Sequence, residues 1–418
     1  MRIAYITLGG NPFTVFSQYE IYPHLCLVGA HEQCMRMKID CDYYLVPSRS
    51  ALPSVAELNK RYDGILLNLD DGVSPDFLKR LAIPILAINL ENIATGFNHV
   101  NIDDDNCMRS VVTHLKETGF TRIGFFSVYT FSWAQARRRF FVNNMKALGL
   151  TVDERWIGDY DSAKRFLGSA TASILKRICI KETWEDQTNV LEQLFDAYLG
   201  QGAPPEALVF ANDLIASFFY QYAQKRNIRI PGDIAIAGTD DLGYDFPPHG
   251  TSFLTTIRHD FSELGGLAAQ VLAEIIRKER PPEGQRVMLP MRLIVRQSTA
   301  RHAPTPAERA DMALKNEIVD HIDRHCNDEK QLHYLAHMTG YSLSHLSGKC
   351  RRFFGMPFKQ YLSEVRLAKA EFLLRSTKQP VMDIAFGVGY TNHSSFATLF
   401  NRKYGCSPSA YRTRMLSS

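Results

Sequence analysis

Short apolar runs alternate with amphipathic stretches through the first 300 residues of the chain. The apolar runs have the length of β-strands, whereas the stretches between them repeat apolar residues every three or four positions, as helices do. Strands are predicted at 2–7, 41–46, 64–68, 83–88, 122–126, 207–211, 234–238 and 288–295. Helices are predicted at 108–118, 135–148, 214–226 and 262–277. Regular strand-helix alternation predicts parallel α/β sheets with helices on both faces.

The last hundred residues carry a different pattern, which occurs twice. Residues 335–342 read Leu-Ala-x-x-x-Gly-Tyr-Ser, and residues 384–391, 49 positions later, read Ile-Ala-x-x-x-Gly-Tyr-Thr. Each copy runs through an amphipathic stretch to an aromatic-Gly pair and a proline. An Ala that packs against a neighbouring helix, a Gly at the turn and a Ser or Thr that caps the next helix suit a helix-turn-helix. Two such units in tandem indicate DNA binding.

The charge distribution agrees with this interpretation. From Lys315 onward the chain has 15 Lys and Arg against 8 Asp and Glu, a balance of +7. The preceding 314 residues have 33 against 36, a balance of −3. The whole-chain value of +4 therefore combines a basic C-terminal region with a slightly acidic body. Such asymmetry is expected if only one end of the chain meets phosphate.

Residues 315–418 resemble the DNA-binding domain of the AraC family of bacterial transcription regulators. The resemblance includes both repeats, the joining segment 361–374 (Tyr-Leu-x-x-x-Arg-Leu-x-x-Ala-x-x-Leu-Leu) and the final segment 395–412. Two residues depart from the family pattern in the first repeat. Cys350 replaces the usual Phe, and Gly348 leaves one outward position bare.

The outward positions of two predicted recognition helices, at 343–353 and after Thr391, are candidates for DNA contact. Short polar groups near the start of such helices reach base edges, while later Lys and Arg side chains bind phosphate. Each side chain alone is also compatible with an ordinary solvated surface. The predicted base readers are Ser344, His345, His393, Ser394 and Thr398. The other predicted DNA contacts are Ser347, Lys349, Arg351, Arg352, Arg402 and Lys403.

A joining helix at 358–376 would be roughly 28 Å long at 1.5 Å per residue. Such a rod would hold the two recognition helices in successive major grooves on one face of the duplex. One protomer would then cover a non-palindromic site of about 17–20 base pairs.

Residues 1–300 resemble the LacI-type sensing domain, which is built like a periplasmic binding protein. The matching motifs are Ala-Leu-Val-x-Ala-Asn-Asp-x-Ile-Ala at 207–216, Ile-Pro-Gly-Asp-Ile-x-Ile-x-Gly-x-Asp-Asp at 230–241, and Val-Arg-Gln-Ser-Thr at 295–299. The expected fold is therefore an α/β two-lobed sensor followed by an all-α domain with two helix-turn-helix units. The expected domains are 1–300 and 315–418, with a linker at 301–314. About twenty residues near 160–182 look inserted and have no assigned role.

The resemblance implies a ligand site in the cleft between the two lobes. It places Arg137 in the cleft, opposite Asn212 and Asp240 from the second lobe. Each has an alternative role. Arg137 could be a surface cation, Asn212 a turn residue at a strand end, and Asp240 a loop-capping carboxylate. Asp213 is expected to cap the following helix, and Asp103 and Asp104 could belong either to the site or to a solvated turn.

The ligand implied by the resemblance to a LacI-type sensor is a sugar. A site for a sugar needs an aromatic ring that stacks on the flat apolar face of the sugar. Loops that follow the carboxyl ends of parallel strands line such clefts. Phe16 and Trp133 are the favoured rings, although each is also compatible with a core position. The candidates in these loops are Phe13, Phe16, Tyr129, Phe131 and Trp133.

Several function classes lack support in the sequence. No apolar run approaches the about 18 residues of a membrane span, the N-terminus has no secretory core, and the eight cysteines are scattered without a CxxC pair. HExxH, GxGxxG, GxxxxGK[ST] and GxSxG motifs are absent. Consecutive side chains in the Asp103–Asp105 run point in different directions, which does not suit a metal site. We therefore expect a cytoplasmic, non-enzymatic protein without membrane association, cofactor or metal.

A LacI-type sensor followed by an AraC-type reader implies a sugar-responsive activator of a carbohydrate operon. A xylose-like pentose is the favoured effector. The implied partners are double-stranded operator DNA, a small sugar, RNA polymerase and a second copy of the chain in a homodimer. Three alternatives stay open: a repressor released by its ligand, a sensor region that only dimerises, and a soluble solute carrier. The carrier gives no use for the basic C-terminal region.

Overall fold

The computed structural model describes residues 1–8, 21–46, 51–68, 75–89, 97–129, 131–159, 184–301, 305–328 and 330–416. Within these ranges the chain forms two compact units, Met1–Pro304 and Thr305–Ser418, called here the sensor unit and the C-terminal unit. The candidate rings Phe13 and Phe16 and the segment 160–182 lie outside the described residues.

The sensor unit contains two six-stranded sheets, each the centre of one lobe. The first sheet has the strand order β11-β5-β4-β3-β1-β2, and its described pairings are all parallel. The second has the order β12-β10-β9-β8-β6-β7, in which only β12 runs antiparallel to its neighbour. The strands are β1 Arg2–Leu8, β2 Asp40–Val46, β3 Gly64–Asn68, β4 Ile85–Ile88, β5 Asn98–Ile102, β6 Ile123–Phe126, β7 Ile157–Gly158, β8 Ala207–Phe210, β9 Ala235–Asp240, β10 Thr255–Arg258, β11 Arg286–Leu289 and β12 Arg292–Ile294.

Eight described α-helices cover these sheets: α1 Ile21–Met37, α2 Val55–Arg61, α3 Pro75–Lys79, α4 Asp104–Glu117, α5 Ser132–Ala147, α6 Trp184–Leu199, α7 Asp213–Lys225 and α8 Phe261–Ile276. Within the described ranges, the chain passes between the lobes three times: from β5 to α4, from β10 to α8, and from β11 to β12. Because α4 packs on α5 and α8 packs on α1, each crossover brings one element into the other lobe. The predicted class of parallel α/β sheets with helices is confirmed.

The helices α1 and α8 cross with their backbones in contact. A Cβ atom added to Gly29 would lie 1.8 Å from the carbonyl oxygen of Ser262, and one added to Gly265 would lie 1.9 Å from that of Cys26. Only glycine permits such an approach. This close packing of α1 on α8 therefore holds the start of α8 in place. His259 lies just before that start, in the segment that connects β10 to α8.

Two aspects of the predicted strand pattern are wrong. The run at 288–295 is not one strand, because β11 ends at Leu289 and β12 begins at Arg292 in the other sheet. Pro290 lies between them and has no N–H to continue a ladder. The strands β5 and β10 were not predicted from periodicity, since they carry buried polar residues such as Asn98 and Thr255.

The C-terminal unit is helical. Its helices are α9 Pro306–His325, α10 Gln331–Thr339, α11 Leu343–Phe354, α12 Phe358–Ser376, α13 Val381–Gly387, α14 His393–Tyr404 and α15 Pro408–Leu416. The predicted linker at 301–314 is too long, because Thr305 caps α9 with a complete capping box and Leu314 is buried in the core of this unit. A proline at the first helical position suits a helix start and does not require a linker.

The predicted tandem arrangement of two helix-turn-helix units is confirmed: α10 with α11 and α13 with α14, joined by α12. Each unit has its own apolar core, with Leu346 and Cys350 buried in the first and Phe396 and Phe400 buried in the second. Cys350 thus fills the position that Phe400 fills in the other repeat. Within the described ranges, every helix is too short or too polar to span a lipid bilayer.

Candidate ligand site and nucleic-acid interface

Arg137 lies at the centre of a buried polar cluster in the second lobe. Its Nε donates to Asp104 Oδ1 at 2.8 Å, and its Nη1 donates to the carbonyl oxygen of Ala211 at 2.6 Å and to Asp240 Oδ1 at 3.2 Å. Its Nη2 lies 3.1 Å from Nε2 of His259. These four partners follow or end β5, β8, β9 and β10, so the cluster occupies the carboxyl edge of parallel strands, where α/β folds bind ligands.

Charge complementarity holds this cluster together. The Arg137 side chain is only 4% exposed. Burial alone would lower its pKa, but the charges of Asp104 and Asp240 outweigh burial and raise the pKa of Arg137 above its ordinary value. Burial, together with the neighbouring Arg137 charge, lowers the pKa of His259. Arg137 is therefore a cation and His259 is neutral near pH 7.

The predicted placement of Arg137 and Asp240 on opposite sides of the cleft is wrong. Arg137 belongs to α5 and Asp240 ends β9, so both belong to the second lobe, where they form a direct ion pair. Asp240 and Asp241 adopt φ angles of 119° and 54°, in a region that side-chain-bearing residues rarely occupy. Backbone strain of this kind is concentrated at functional sites.

Asn212, rather than Asp213, is the residue that caps α7. The Asn212 side chain accepts from the backbone N–H of Ile215 at 3.1 Å and donates to the Tyr129 hydroxyl at 3.4 Å. The expectation that Asp213 would be the cap is therefore wrong. Asn212 lies at the carboxyl edge beside the Arg137 cluster. Its side-chain oxygen already accepts one hydrogen bond, from the N–H of Ile215 in the helix that it caps.

Asp213 is buried beneath this edge. It accepts from Thr256 Oγ1 at 2.6 Å and from the backbone N–H of Asp241 at 2.8 Å. Burial, reinforced by the nearby charge of Asp240, raises the pKa of Asp213 to about 8. A neutral carboxylic acid therefore lies next to an ionised cluster.

The acidic pair at the start of α4 divides its roles between two residues. Asp103 caps the helix by accepting from the backbone N–H of Asn106 at 3.1 Å, and it is half-buried. Asp104 is buried and forms the ion pair with Arg137. Of the two candidates, the structure thus brings Asp104 to Arg137 and uses Asp103 as the helix cap. A helix cap normally lies one residue before the first helical residue. This rule assigns the cap to Asp103 and leaves the side chain of Asp104 free to pair with Arg137.

Trp133 lies beside the Arg137 cluster within a group of three aromatic rings. The Arg137 guanidinium lies 5.0 Å from the centre of the Trp133 ring, a cation–π distance. Phe131 stacks on Trp133 with ring centres 6.2 Å apart, and Tyr129 lies 5.2 Å from Trp133. The half-buried Trp133 ring thus provides an apolar surface next to charged hydrogen-bonding groups.

A second ion-pair layer supports the strained turn after β9. Asp241 accepts from Arg258 Nε at 2.6 Å and lies 2.8 Å from Arg296 Nη1. Although burial raises the pKa of Asp241, the charges of Arg296 and Arg258 lower it below its ordinary value. Sequence reasoning missed His259, Arg258 and Arg296 as contributors, although Arg296 lies within the segment 295–299 that was already matched to the LacI pattern.

In the C-terminal unit, the two recognition helices begin at equivalent caps. Ser342 accepts from the N–H of His345, whereas in the second repeat Asn392 accepts from the N–H groups of Ser394 and Ser395. The predicted cap at Thr391 is wrong by one residue. The second repeat has one extra residue before its recognition helix, so the repeat spacing changes from 49 to 50 there.

All five predicted base readers are solvent-exposed: Ser344, His345, His393, Ser394 and Thr398. Ser347 and Lys349 are half-buried. Several predicted cations already have acidic partners. Lys349 and Arg352 both pair with Asp311, and Lys403 Nζ lies 2.5 Å from Glu364 Oε2. Arg351 and Arg402 are exposed, with no ion pair among the described residues.

The fold therefore defines a two-lobed binding-protein-like sensor combined with a tandem helix-turn-helix unit. Residues 112–299 match the periplasmic binding protein-like domain, and residues 335–414 match a helix-turn-helix domain. The regulatory protein SoxS of Salmonella typhimurium is 31% identical over 98 residues, which cover 23% of this chain and 92% of SoxS. The chain belongs to the AraC family of transcription regulators and carries a periplasmic-binding-protein-like sensor.

More distant relatives align over most of this chain. The xylose operon regulatory protein of Escherichia coli (strain K12) is 23% identical over 84% of this chain and 83% of its own length. The structure of a xylose-binding transcription activator aligns over 99% of this chain and 98% of that chain, with a TM-score of 0.50 and 20% identity. A transcriptional regulator in complex with cellobiose aligns over 71% of this chain and 84% of that chain, with a TM-score of 0.55 and 19% identity. These structural likenesses concern the fold.

Proposed function

We propose that this protein is a cytoplasmic, sugar-responsive regulator that binds operator DNA and acts chiefly as an activator of a carbohydrate operon. The buried Arg137 cluster beside Trp133 carries the ligand part of the proposal. A sugar offers hydroxyls in several directions and one flat apolar face. The cluster offers carboxylates, a guanidinium and an aromatic ring at the carboxyl edge of a sheet, which is the chemistry that a sugar requires.

Within this site Asp240 is the proposed direct ligand contact. Its side chain is 16% exposed, whereas those of Asp104 and Arg137 are 1% and 4% exposed. Asp240 therefore combines an anchored orientation with access from solvent, and Arg137 orients it. Trp133 is the proposed stacking surface, and Asn212, Asp103 and Phe16 are the remaining proposed ligand contacts.

The relatives favour a pentose such as xylose, since two of them are named for xylose. A disaccharide is the competing effector, because another relative is described with cellobiose.

For the DNA part, α11 and α14 are the proposed recognition helices, and the exposed Arg351 and Arg402 are the proposed phosphate contacts. We further propose that the regulator acts as a homodimer and recruits RNA polymerase.

Asp240→Ala is expected to weaken binding of the effector about ten- to hundredfold. Loss of one partner of a charged hydrogen bond costs about 1.5–3 kcal/mol. The measurement is isothermal titration of the full chain with a panel of pentoses, hexoses and disaccharides, followed by the variant with the responsive sugar. Asp245→Ala removes a similar charge from an exposed position nearby and serves as the control.

Equal affinity of Asp240→Ala and the parent for every responsive sugar would contradict this site. A parent chain that binds none of the sugars would instead favour a sensor unit that only dimerises.

A further inference from the structure

One carboxylate, Asp311 of α9, holds two cations of the first recognition helix. Lys349 Nζ lies 2.5 Å from Asp311 Oδ1, and the Arg352 guanidinium pairs with the other carboxylate oxygen. The exposed fractions of Lys349, Asp311 and Arg352 are 19%, 28% and 58%. The group therefore lies at the solvent edge, where its members can change partner without exposing the core.

A carboxylate and a DNA phosphate compete for the same donors. Both are anionic oxygen acceptors, and both bind Lys as a point charge and Arg through its N–H fork. While Lys349 and Arg352 contact Asp311, the negative charge of that residue offsets part of their attraction for the DNA backbone. The hydrogen bond from Lys349, with the nearby charge of Arg352, lowers the pKa of Asp311, so the carboxylate stays ionised near neutral pH.

The second recognition helix is arranged differently. There Glu364 of α12 pairs with Lys403 alone, and Arg402 remains exposed without an ion pair among the described residues. Among the described ion pairs of the two recognition helices, the carboxylate that contacts two cations therefore pairs with the first of these helices, α11. It belongs to α9, the first helix of the C-terminal unit, whose cap Thr305 directly follows the last residue of the sensor unit.

We propose that Asp311 is an affinity-determining residue of the DNA interface: it occupies Lys349 and Arg352 in place of phosphate and weakens the grip of α11 on the DNA backbone. The inference rests on the proposed DNA contacts of Lys349 and Arg352.

Asp311→Asn tests the inference in the full chain, with a short mixed-sequence duplex as the probe in fluorescence anisotropy. The expected result is an affinity about three- to tenfold higher at low salt, because two cations are released from a surface ion pair. The plot of log affinity against log salt should also steepen by up to about 1.8, since each neutralised phosphate contributes about 0.9. Glu317→Gln is the matched control, because it removes one negative charge from an exposed position of the same helix.

The pairing itself is tested by removing both cations together, with Lys349→Met and Arg352→Met. This double change should weaken the Asp311→Asn chain more than it weakens the parent. Weaker binding by Asp311→Asn, or a gain no larger than that of Glu317→Gln, would overturn the inference. Additive effects of the cation changes in the two backgrounds would also overturn it. A parent chain without salt-dependent affinity would instead remove the proposed DNA-binding function.

Discussion

Arg137→Met is expected to lower the free energy of unfolding of the sensor unit by about 3–5 kcal/mol. The change leaves Asp104 and Asp240 without their cation, and Asp104 is buried with a side chain only 1% exposed. It also leaves the carbonyl oxygen of Ala211 without its 2.6 Å donor. An uncompensated buried charge costs far more than the lost attraction between exposed partners.

Urea unfolding of the full chain, followed by tryptophan fluorescence, measures this loss. The three tryptophans of the chain, Trp133, Trp156 and Trp184, all belong to the sensor unit, so the signal reports on that unit alone. Arg139→Met is the matched control, because Arg139 is exposed on the same helix. Adding Asp104→Asn to Arg137→Met should recover part of the stability. An Arg137→Met chain as stable as the Arg139→Met chain would show that the cluster is not held by charge.

The free energy of unfolding of the sensor unit is expected to decrease as the pH rises from about 4 to about 8, because Asp213 holds a proton in the folded state. The pKa of Asp213 is raised from 3.8 to about 8 in the fold. The folded state therefore holds a proton that the unfolded chain releases near pH 4. The contribution is fully present below the unfolded pKa and is lost as the pH rises through the folded pKa. Each pH unit in this window is expected to lower the free energy of unfolding by on the order of 1 kcal/mol.

Asp213→Asn should remove this dependence, because asparagine is neutral throughout and can accept the same hydrogen bond from Asp241. The measurement compares the urea unfolding of the parent and the variant, again by tryptophan fluorescence. It uses several pH values between about 5 and the raised pKa of Asp213, about 8. Asp245→Asn, an exposed change in the following loop, controls for general charge. If the Asp213→Asn and parent slopes were the same, another group would carry the proton.

The fold could be predicted from the sequence where local pattern and tertiary environment agree. The strand Gly64–Asn68 and the helix Phe358–Ser376 have the predicted bounds, since the strand is a short run that is buried throughout and the helix begins directly after Pro357. The prediction was wrong at the crossover between β11 and β12, where one apolar run serves two sheets. Periodicity does not reveal which sheet receives a strand, because that depends on contacts distant in sequence.

The candidate site shows a similar division. Residue type and motif order singled out Arg137, Asp240 and Trp133, and the structure brings these three together. The same reasoning did not identify Asp104 or His259 as partners of Arg137, since their roles depend on burial. Nor did it show that Lys349 and Arg352 share Asp311, which is 38 residues distant from Lys349.

The central claim, that a sugar signal reaches DNA, is tested most directly by the affinity of the full chain for its operator with and without the sugar. The operator duplex is first selected from a random-sequence pool, and xylose and the other responsive sugars are then added in an anisotropy titration. Asp240→Ala is the control, because it should bind DNA but lose the response.

We predict that the sugar tightens operator binding about 5- to 150-fold, a coupling of about 1–3 kcal/mol, and that DNA tightens sugar binding by the same factor. Weaker operator binding with sugar would favour a ligand-released repressor. Unchanged affinity together with unchanged DNA bending would contradict the account.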